Sequence, residues 1–321
     1  EVYMLKKILR KLNIKESDYL VIGCSAGPDS MALLHYIQNN TQNKIVVAHI
    51  NHNLRKESKE EEKYIEEYCK NNNIIFEKIS IQINKNKNIE NEARLKRYDF
   101  YNQILKKYNT NYLFLAHHGD DLIETILMRI VRGSTLRGYS GFSKIVQMDG
   151  YTILRPLINV TKSEIIEYDK QNKIPYAEDS SNSKDVYTRN RFRKYIVPEF
   201  KKEDKNVHNK FYKFSKTLLE YNDYIDKQVE KIIPKVLPQN ILNIEEFNKL
   251  EKVIQMKVIY YFLEKTYQDD LMLITDHHAE LLYALIVSKK PNAYIYLPNN
   301  LKAVKSYNNL TFIQEEISNK E

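Results

Sequence analysis

Asp120, Asp121 and Glu124 stand at i, i+1 and i+4 in one stretch of the chain. On a helix this spacing gathers three carboxylates on adjoining faces. Such a group can hold a metal ion or an ammonium, and it can accept the proton that an amine must lose before it attacks. A first helical turn also favours acids through the helix dipole alone, so the cluster has a structural explanation as well as a chemical one. His117 and His118 come immediately before it. A second group is Ser25-Ala26-Gly27-Pro28-Asp29-Ser30, whose small residues suit close backbone contact with a phosphate. Asp29 is an acid in a first helical turn, where the helix dipole alone stabilises it. These six residues lack the Gly-Lys-Ser/Thr ending of a Walker loop and the GxGxxG of a dinucleotide fingerprint.

Both groups need elements to position them. Tyr19 to Cys24 is a short continuous apolar run bounded by turn residues, the pattern of a strand buried on both faces. After the loop at 25–29, Met31 to Leu34, Tyr36 and Ile37 repeat at helical spacing, and Lys44 to Ile50 reads as the next strand of a βαβ unit. A helix near 58–72, a strand near Ile74 to Ile83, a helix near 89–107, a strand from Tyr112 to Ala116 and a helix from about Asp120 to Arg132 continue the alternation. The expected fold is α/β, an open, doubly wound, mostly parallel sheet. His49 then falls at the carboxyl end of its strand, where ligands bind in such sheets, with Asn51 and His52 in the following loop. Beyond Pro198 the pattern turns helical, over 208–233, 244–265 and 276–287. Ala293 to Leu297, Leu301 to Val304 and Leu310 to Ile313 alternate like a small hairpin or three-stranded sheet. Asp276-His277-His278 reads more simply as a helix start capped by Asp276 than as a metal site.

A chain of 321 residues is about twice the usual domain length, so two domains are expected. The two cysteines, Cys24 and Cys69, form no CxxC pair; neither a disulfide framework nor a thiolate zinc site can be built, and a reducing compartment fits. No apolar run approaches the roughly 20 residues that cross a bilayer, and none of signal-peptide length follows Lys6, Lys7 and Arg10, so no membrane partner is expected. The net charge of +8 is concentrated. Residues 184–216 carry eleven Lys or Arg against four Asp or Glu, a net +7, interleaved with aromatics such as Tyr187, Phe192, Tyr195 and Phe211. Basic and aromatic residues together suit a polyanion with unstacked bases; a solvated helix with an aromatic core face is the alternative.

The loop at 25–30 resembles the Ser-Gly-Gly-x-Asp-Ser loop of the PP-loop ATP pyrophosphatases, which cleave ATP between its α and β phosphates. Ala48 to Arg55, Glu92-Ala-Arg94 with Arg97-Tyr98, Ala116 to Asp121 with Glu124-Thr125, Arg132-Gly133, Arg155-Pro-Leu157 and Thr188 to Arg191 follow. In this order and spacing they resemble the tRNA(Ile)-lysidine synthetases over most of residues 19–198. Two positions depart from that family. Ala26 replaces the first loop glycine, so an intact loop is expected to keep φ negative there. Leu122 stands where Gln is usual.

The resemblance implies ATP and Mg2+ as cofactors and two steps: adenylation of cytidine 34 in the CAU anticodon of tRNA(Ile), then displacement of AMP by the ε-amine of L-lysine to give lysidine. Asp29, Asp120, Asp121 and Glu124 are the implied catalytic residues, and Asp29 and Asp121 the implied Mg2+ ligands. Ser25, Ala26, Gly27, Pro28, Asp29, Ser30, His49 and Asn51 would meet ATP. His117, Arg94, Arg97, Arg132, Arg189 and Arg191 would meet the other substrates, with Arg193 a further candidate for phosphate. Residues 1–205 would form the catalytic domain and 206–321 a helical tRNA-recognition domain, without the further small C-terminal domain of some members. The implied location is the cytoplasm, or an organelle if an upstream segment has been removed; homodimerisation is left open. The alternatives are a tRNA thiolase of the same superfamily, a metal-dependent phosphohydrolase with His117, His118, Asp120 and Asp121 as ligands, and a non-catalytic RNA-binding protein, which Ala26 alone favours.

Overall fold

The computed structural model describes residues 2–51, 58–81, 89–177, 187–267 and 274–315. His52, Arg55, the end of the expected strand at 82–83 and the start of the basic stretch lie outside them. In chain order the elements begin with α1 (Val2–Lys11), β1 (Leu20–Gly23), α2 (Pro28–Asn40), β2 (Ile45–Asn51), α3 (Ser58–Asn71) and β3 (Ile75–Ser80). They continue with α4 (Ile89–Lys107), β4 (Tyr112–Phe114), α5 (Gly119–Arg132), α6 (Leu136–Tyr139), β5 (Ile145–Gln147), β6 (Thr152–Leu154) and α7 (Lys162–Gln171). After these come α8 (Thr188–Arg191), a π-helical segment (Phe192–Ile196), α9 (Val197–Glu203), α10 (Val207–Val236), β7 (Leu242–Asn243), α11 (Ile244–Asn248) and α12 (Lys252–Tyr267). The last are α13 (Asp276–Val287), β8 (Asn292–Leu297), β9 (Leu301–Ser306) and β10 (Asn309–Gln314).

Two compact units result. The first contains residues 1–131 and 141–216, the second 132–140 and 217–321. In the first, the sheet order is β3-β2-β1-β4-β6-β5, with every pairing parallel except β5 against β6. Alternate residues of one strand feed opposite cores. Leu20 and Ile22 join Met31, Leu33, Leu34 and Ile37 of α2, while Val21 joins Phe100, Tyr101, Ile104 and Leu105 of α4. This burial of both faces is why the central strands read as unbroken apolar runs. The chain leaves β1 toward β2 and β3, then returns to the other side of β1 as β4. The carboxyl ends of β1 and β4 therefore flank the point where strand order reverses, the place where open α/β sheets bind ligands.

β5 and β6 were not expected, because three residues each are too short for an alternation to register. Leu122 is fully buried against Ile126 and Ile158, so the departure at that position serves the core. Gly141 packs against it with φ +75; a Cβ there would lie 2.7 Å from Leu122 Cδ1. Both the conformation and the space exclude a side chain.

The second unit packs α11, α12, α13 and the later part of α10 around Phe247, Val258, Ile259, Phe262, Leu282 and Ile286. Its antiparallel sheet runs β7-β10-β9-β8, one short strand more than the expected three. The expected helix over 244–265 is two helices, α11 and α12. Thr275, not Asp276, caps α13, since its side chain and that of His278 form a reciprocal capping pair; Asp276 accepts a hydrogen bond from Tyr260 Oη at 2.7 Å. Among the described residues no helix is long and apolar enough to cross a membrane.

Candidate active site

The loop leaving β1 is closed by Ser30. Its Oγ accepts from the Ser25 amide at 3.2 Å and donates to the Gly27 carbonyl at 2.9 Å. Gly27 is the N-cap of α2 and supplies no capping side chain, which leaves first-turn amides directed at any anion seated on the loop. Ala26 corrects one expectation: its φ is +66, in the left-handed region. The strain of about 1–2 kcal/mol for a non-glycine there is offset in part because the Ala26 methyl is fully buried. The Ala26 carbonyl also accepts from the Ala177 amide at 3.0 Å, which holds the turn.

The segment leaving β4 brings the acids to the start of α5. His118 links the two loops: its Nε2 lies 3.6 Å from Asp29 Oδ1 and 3.4 Å from Asp121 Oδ2, and its amide donates to Asp121 Oδ2 at 3.1 Å. Every acid has a basic partner from elsewhere in the unit. Lys162 Nζ lies 2.5 Å from Asp29 Oδ1, and Lys201 Nζ lies 2.5 Å from Asp120 Oδ2. Arg193 grips Glu124 through Nε at 2.7 Å and Nη2 at 3.0 Å, and reaches Asp121 Oδ1 at 3.2 Å. Arg189 stands 3.6 Å from Glu124 Oε2 and donates to Thr125 Oγ1 at 3.0 Å. His118, Asp120, Glu124, Lys162, Arg193 and Lys201 line one cleft of about 570 Å³.

Burial sets the electrostatics. It pushes the fully buried Glu124 carboxyl up, outweighing the Arg193 fork. In Asp121 burial acts in the same direction, but His118, His117 and Arg193 outweigh it and hold the carboxyl below its ordinary value. His117 is driven down to about 4 by burial, so its ring is neutral at pH 7; it packs 5.3 Å from Phe142, and among the described residues its Nδ1 has no partner. Among the described residues no three His, Cys, Asp or Glu side chains form a metal cage. Asp29 and Asp121 beside His118 nonetheless fit Mg2+, which takes one or two carboxylates and fills its shell with phosphate oxygens and water.

Other expected residues lie elsewhere. His49 is buried, donates through Nδ1 to the Cys24 carbonyl at 2.9 Å, and is pushed down in pKa by its burial. It supports the base of the phosphate loop. The Asn51 amide is turned inward, donating to Glu62 Oε2 at 2.9 Å and to the Ser58 carbonyl at 3.3 Å. Arg94 is exposed on α4 with its guanidinium 5.8 Å from the Tyr98 ring, and Arg97 is half-buried on the same helix. Arg191 is exposed and donates to Thr188 Oγ1 at 3.1 Å. Arg132 is counted with the second unit, where it lines a cavity with Thr135, Tyr260 and Asp276.

Three residues escaped the sequence reading. Lys162 opens α7 behind a capping box of Thr161 and Glu164, and the Thr-x-x-Glu spacing is a signal that could have placed it at a helix start. Lys201 had no signal beyond the basic stretch. Asp169 is 1% exposed, and among the described residues neither carboxylate oxygen has a partner. Burial, helped by the charge of Asp29 and opposed by Lys162, raises it to about 7. Ile165 is buried four residues earlier, so helical periodicity already puts position 169 on the inner face.

Residues 2–200 match the family described as the PP-loop domain. A tRNA(Ile)-lysidine synthase from Bacillus cereus is 38% identical over 315 residues, covering 93% of this chain and 66% of the relative. The Bifunctional protein TilS/HprT of Listeria innocua is 36% identical over 311 residues, covering 93% of this chain and 48% of that protein. The chain thus spans between about half and two thirds of the length of these curated relatives. Among solved structures, the U34-tRNA thiolase NcsA from Methanococcus maripaludis with its [4Fe-4S] cluster has a TM-score of 0.57 at 13% identity. That match covers 68% of this chain and 79% of that one, and it is a likeness of fold.

Proposed function

We propose, for a chain that belongs to the PP-loop domain family, ATP-dependent ligation of L-lysine to cytidine 34 of the CAU anticodon of tRNA(Ile), with AMP and pyrophosphate released. The observation that carries this reading is the acid cluster Asp120, Asp121 and Glu124 facing the phosphate loop across His118. A nucleotide-splitting loop alone would need no such cluster. A reaction that takes a cationic amine as its second substrate does. The names borne by relatives at 36–38% identity over 93% of the chain support the same substrates.

In this reading the loop amides of 25–30 and the α2 N-terminus hold the pyrophosphate end of ATP. Asp29 and Asp121 would hold Mg2+, which when bound neutralises charge on the phosphates. Arg193, with Arg189 beside it, fixes the Glu124 carboxylate, and Asp120 and Asp121 bind the ε-ammonium and accept its proton. The cationic stretch of α8, the π segment and α9 meets the RNA backbone, and residues 206–321 recognise the tRNA. Arg94, Arg97, Arg132 and Arg191 keep their proposed roles as RNA or phosphate contacts, as does His117 as a neutral lining residue. A reducing, cytoplasmic or organellar setting suits two buried free cysteines.

The alternatives have less support. Thiolation usually draws on paired or cluster-binding cysteines, and here burial raises both thiols, Cys69 to about 12. A non-catalytic protein was suggested by Ala26 alone, yet the loop makes its left-handed turn with alanine in place. The test is pyrophosphate release from ATP and Mg2+ with tRNA(Ile) of CAU anticodon or with initiator tRNA. Release stimulated only by the former supports the reading; equal release with both, or with neither, contradicts it.

A further inference from the structure

We propose that Lys201 is a built-in occupant of the amine site, holding Asp120 until a backbone phosphate of the RNA draws it away. This rests on the lysidine reading above. Asp120 is 6% exposed, and its buried Oδ1 has no partner among the described residues while Oδ2 takes the Lys201 ammonium at 2.5 Å and the Lys162 amide at 3.3 Å. A buried carboxylate of this kind needs a cation beside it, because a lone buried charge is strongly unfavourable. The ε-ammonium of free lysine and that of Lys201 are the same group, so they compete for one acceptor.

The neighbouring acids are held differently. Glu124 is gripped by the Arg193 fork through two nitrogens, a planar pairing that an ammonium cannot reproduce. Lys201 offers one point charge on a flexible four-carbon stem. Its side chain is 27% exposed, against 9% for Asp120, so it has an outward path that its partner lacks. That path leads along the rim of the same cleft, where Lys202 and Lys205 follow within a few residues. Among the described residues Lys202 pairs with Glu199, both side chains mostly exposed, and a phosphate would readily displace such a partner. A strand of RNA along this rim offers Lys201 a phosphate oxygen and leaves Asp120 open for the incoming amine. RNA binding and lysine binding are then coupled, and the coupling is reciprocal.

The test is calorimetric titration of L-lysine into the full chain in three settings: alone, with an anticodon stem-loop RNA carrying CAU, and with a non-hydrolysable ATP analogue and Mg2+. For the unaltered protein the RNA should tighten lysine binding roughly 5- to 100-fold, in the range of ordinary allosteric coupling. Lys201→Met should bind lysine without RNA as tightly as the unaltered protein does with it, and RNA should add nothing. Lys201→Arg, which keeps the charge, should retain a response to RNA. Weakened or unchanged lysine binding by Lys201→Met without RNA overturns the proposal, as does an equal gain produced by the nucleotide analogue alone. Lysine binding that persists but ignores RNA in every variant overturns the exchange and leaves the lysidine reading standing. Failure of every protein to bind lysine in all three settings, with RNA and nucleotide still bound, removes both.

Discussion

Asp121 is the residue on which the site's interactions converge, touching the His118 amide at 3.1 Å and Arg193 at 3.2 Å, with its carboxyl held ionised by that company. Asp121→Asn keeps the shape and removes the charge. It should lower lysidine formation by at least about 100-fold, the scale of one well-placed proton acceptor, while tRNA affinity measured by filter binding stays within a few-fold. Unaltered turnover would remove Asp121 from the mechanism. Ala26→Gly weighs two opposed effects. Relief of left-handed strain is worth about 1–2 kcal/mol, and loss of a buried methyl with added unfolded-state freedom about 1–2 kcal/mol. The melting temperature should therefore barely move and ATP binding should persist. Asp169 has a sharper signature. Its folded-state value near 7 lies above the ordinary 3.8, so the folded protein binds the extra proton and stability falls as pH rises from about 4 to about 7. Without divalent metal, Asp169→Asn should match the parent near pH 4 and exceed it increasingly up to pH 7, by up to about 4 kcal/mol in denaturant unfolding. A pH-independent difference would show that Asp169 does not titrate in that window.

At the scale of elements, the site depends on how three helices begin. α2 starts uncapped at Gly27, α5 brings its acids directly after β4, and α7 sets Lys162 in place through the Thr161–Glu164 capping box. Thr161→Ala should cost about 1 kcal/mol, lower the melting temperature by a few degrees, and loosen Lys162 from Asp29. Arg193 sits on the π-helical segment, where the Val197 amide donates to the Phe192 carbonyl and Pro198 has no N–H to continue an ordinary α pattern. The parallel core was legible because strands such as Leu20–Gly23 are apolar at every position, and the phosphate loop because small residues stand between such a strand and a helix. The acid cluster was legible from helical spacing alone. Its basic partners were not, since the Lys162–Asp29 and Lys201–Asp120 pairs close over 133 and 81 residues and no local pattern marks the pairing. For Asp29 and Asp120 the sequence offered a catalytic role beside a dipole-complementing one, and neither reading names these basic partners. The sign of φ at Ala26 was misjudged because a buried methyl and a tertiary hydrogen bond to Ala177 outweigh local preference.

For the whole molecule, a net charge of +8 with ten Lys or Arg against three Asp or Glu in residues 187–216, among them Arg193, Lys201, Lys202 and Lys205 of the cleft, concentrates the attraction for a polyanion in that stretch. tRNA affinity should fall at least tenfold between 50 and 200 mM salt, as counterion release requires for several phosphate contacts. A flat response would place recognition elsewhere. The measurement that bears most directly on the central claim is incorporation of labelled L-lysine into tRNA(Ile) with a CAU anticodon, with and without ATP, using initiator tRNA as control. The account predicts label in the isoleucine tRNA only, and only when ATP is present. A folded protein that binds this tRNA and ATP yet transfers no lysine would contradict it.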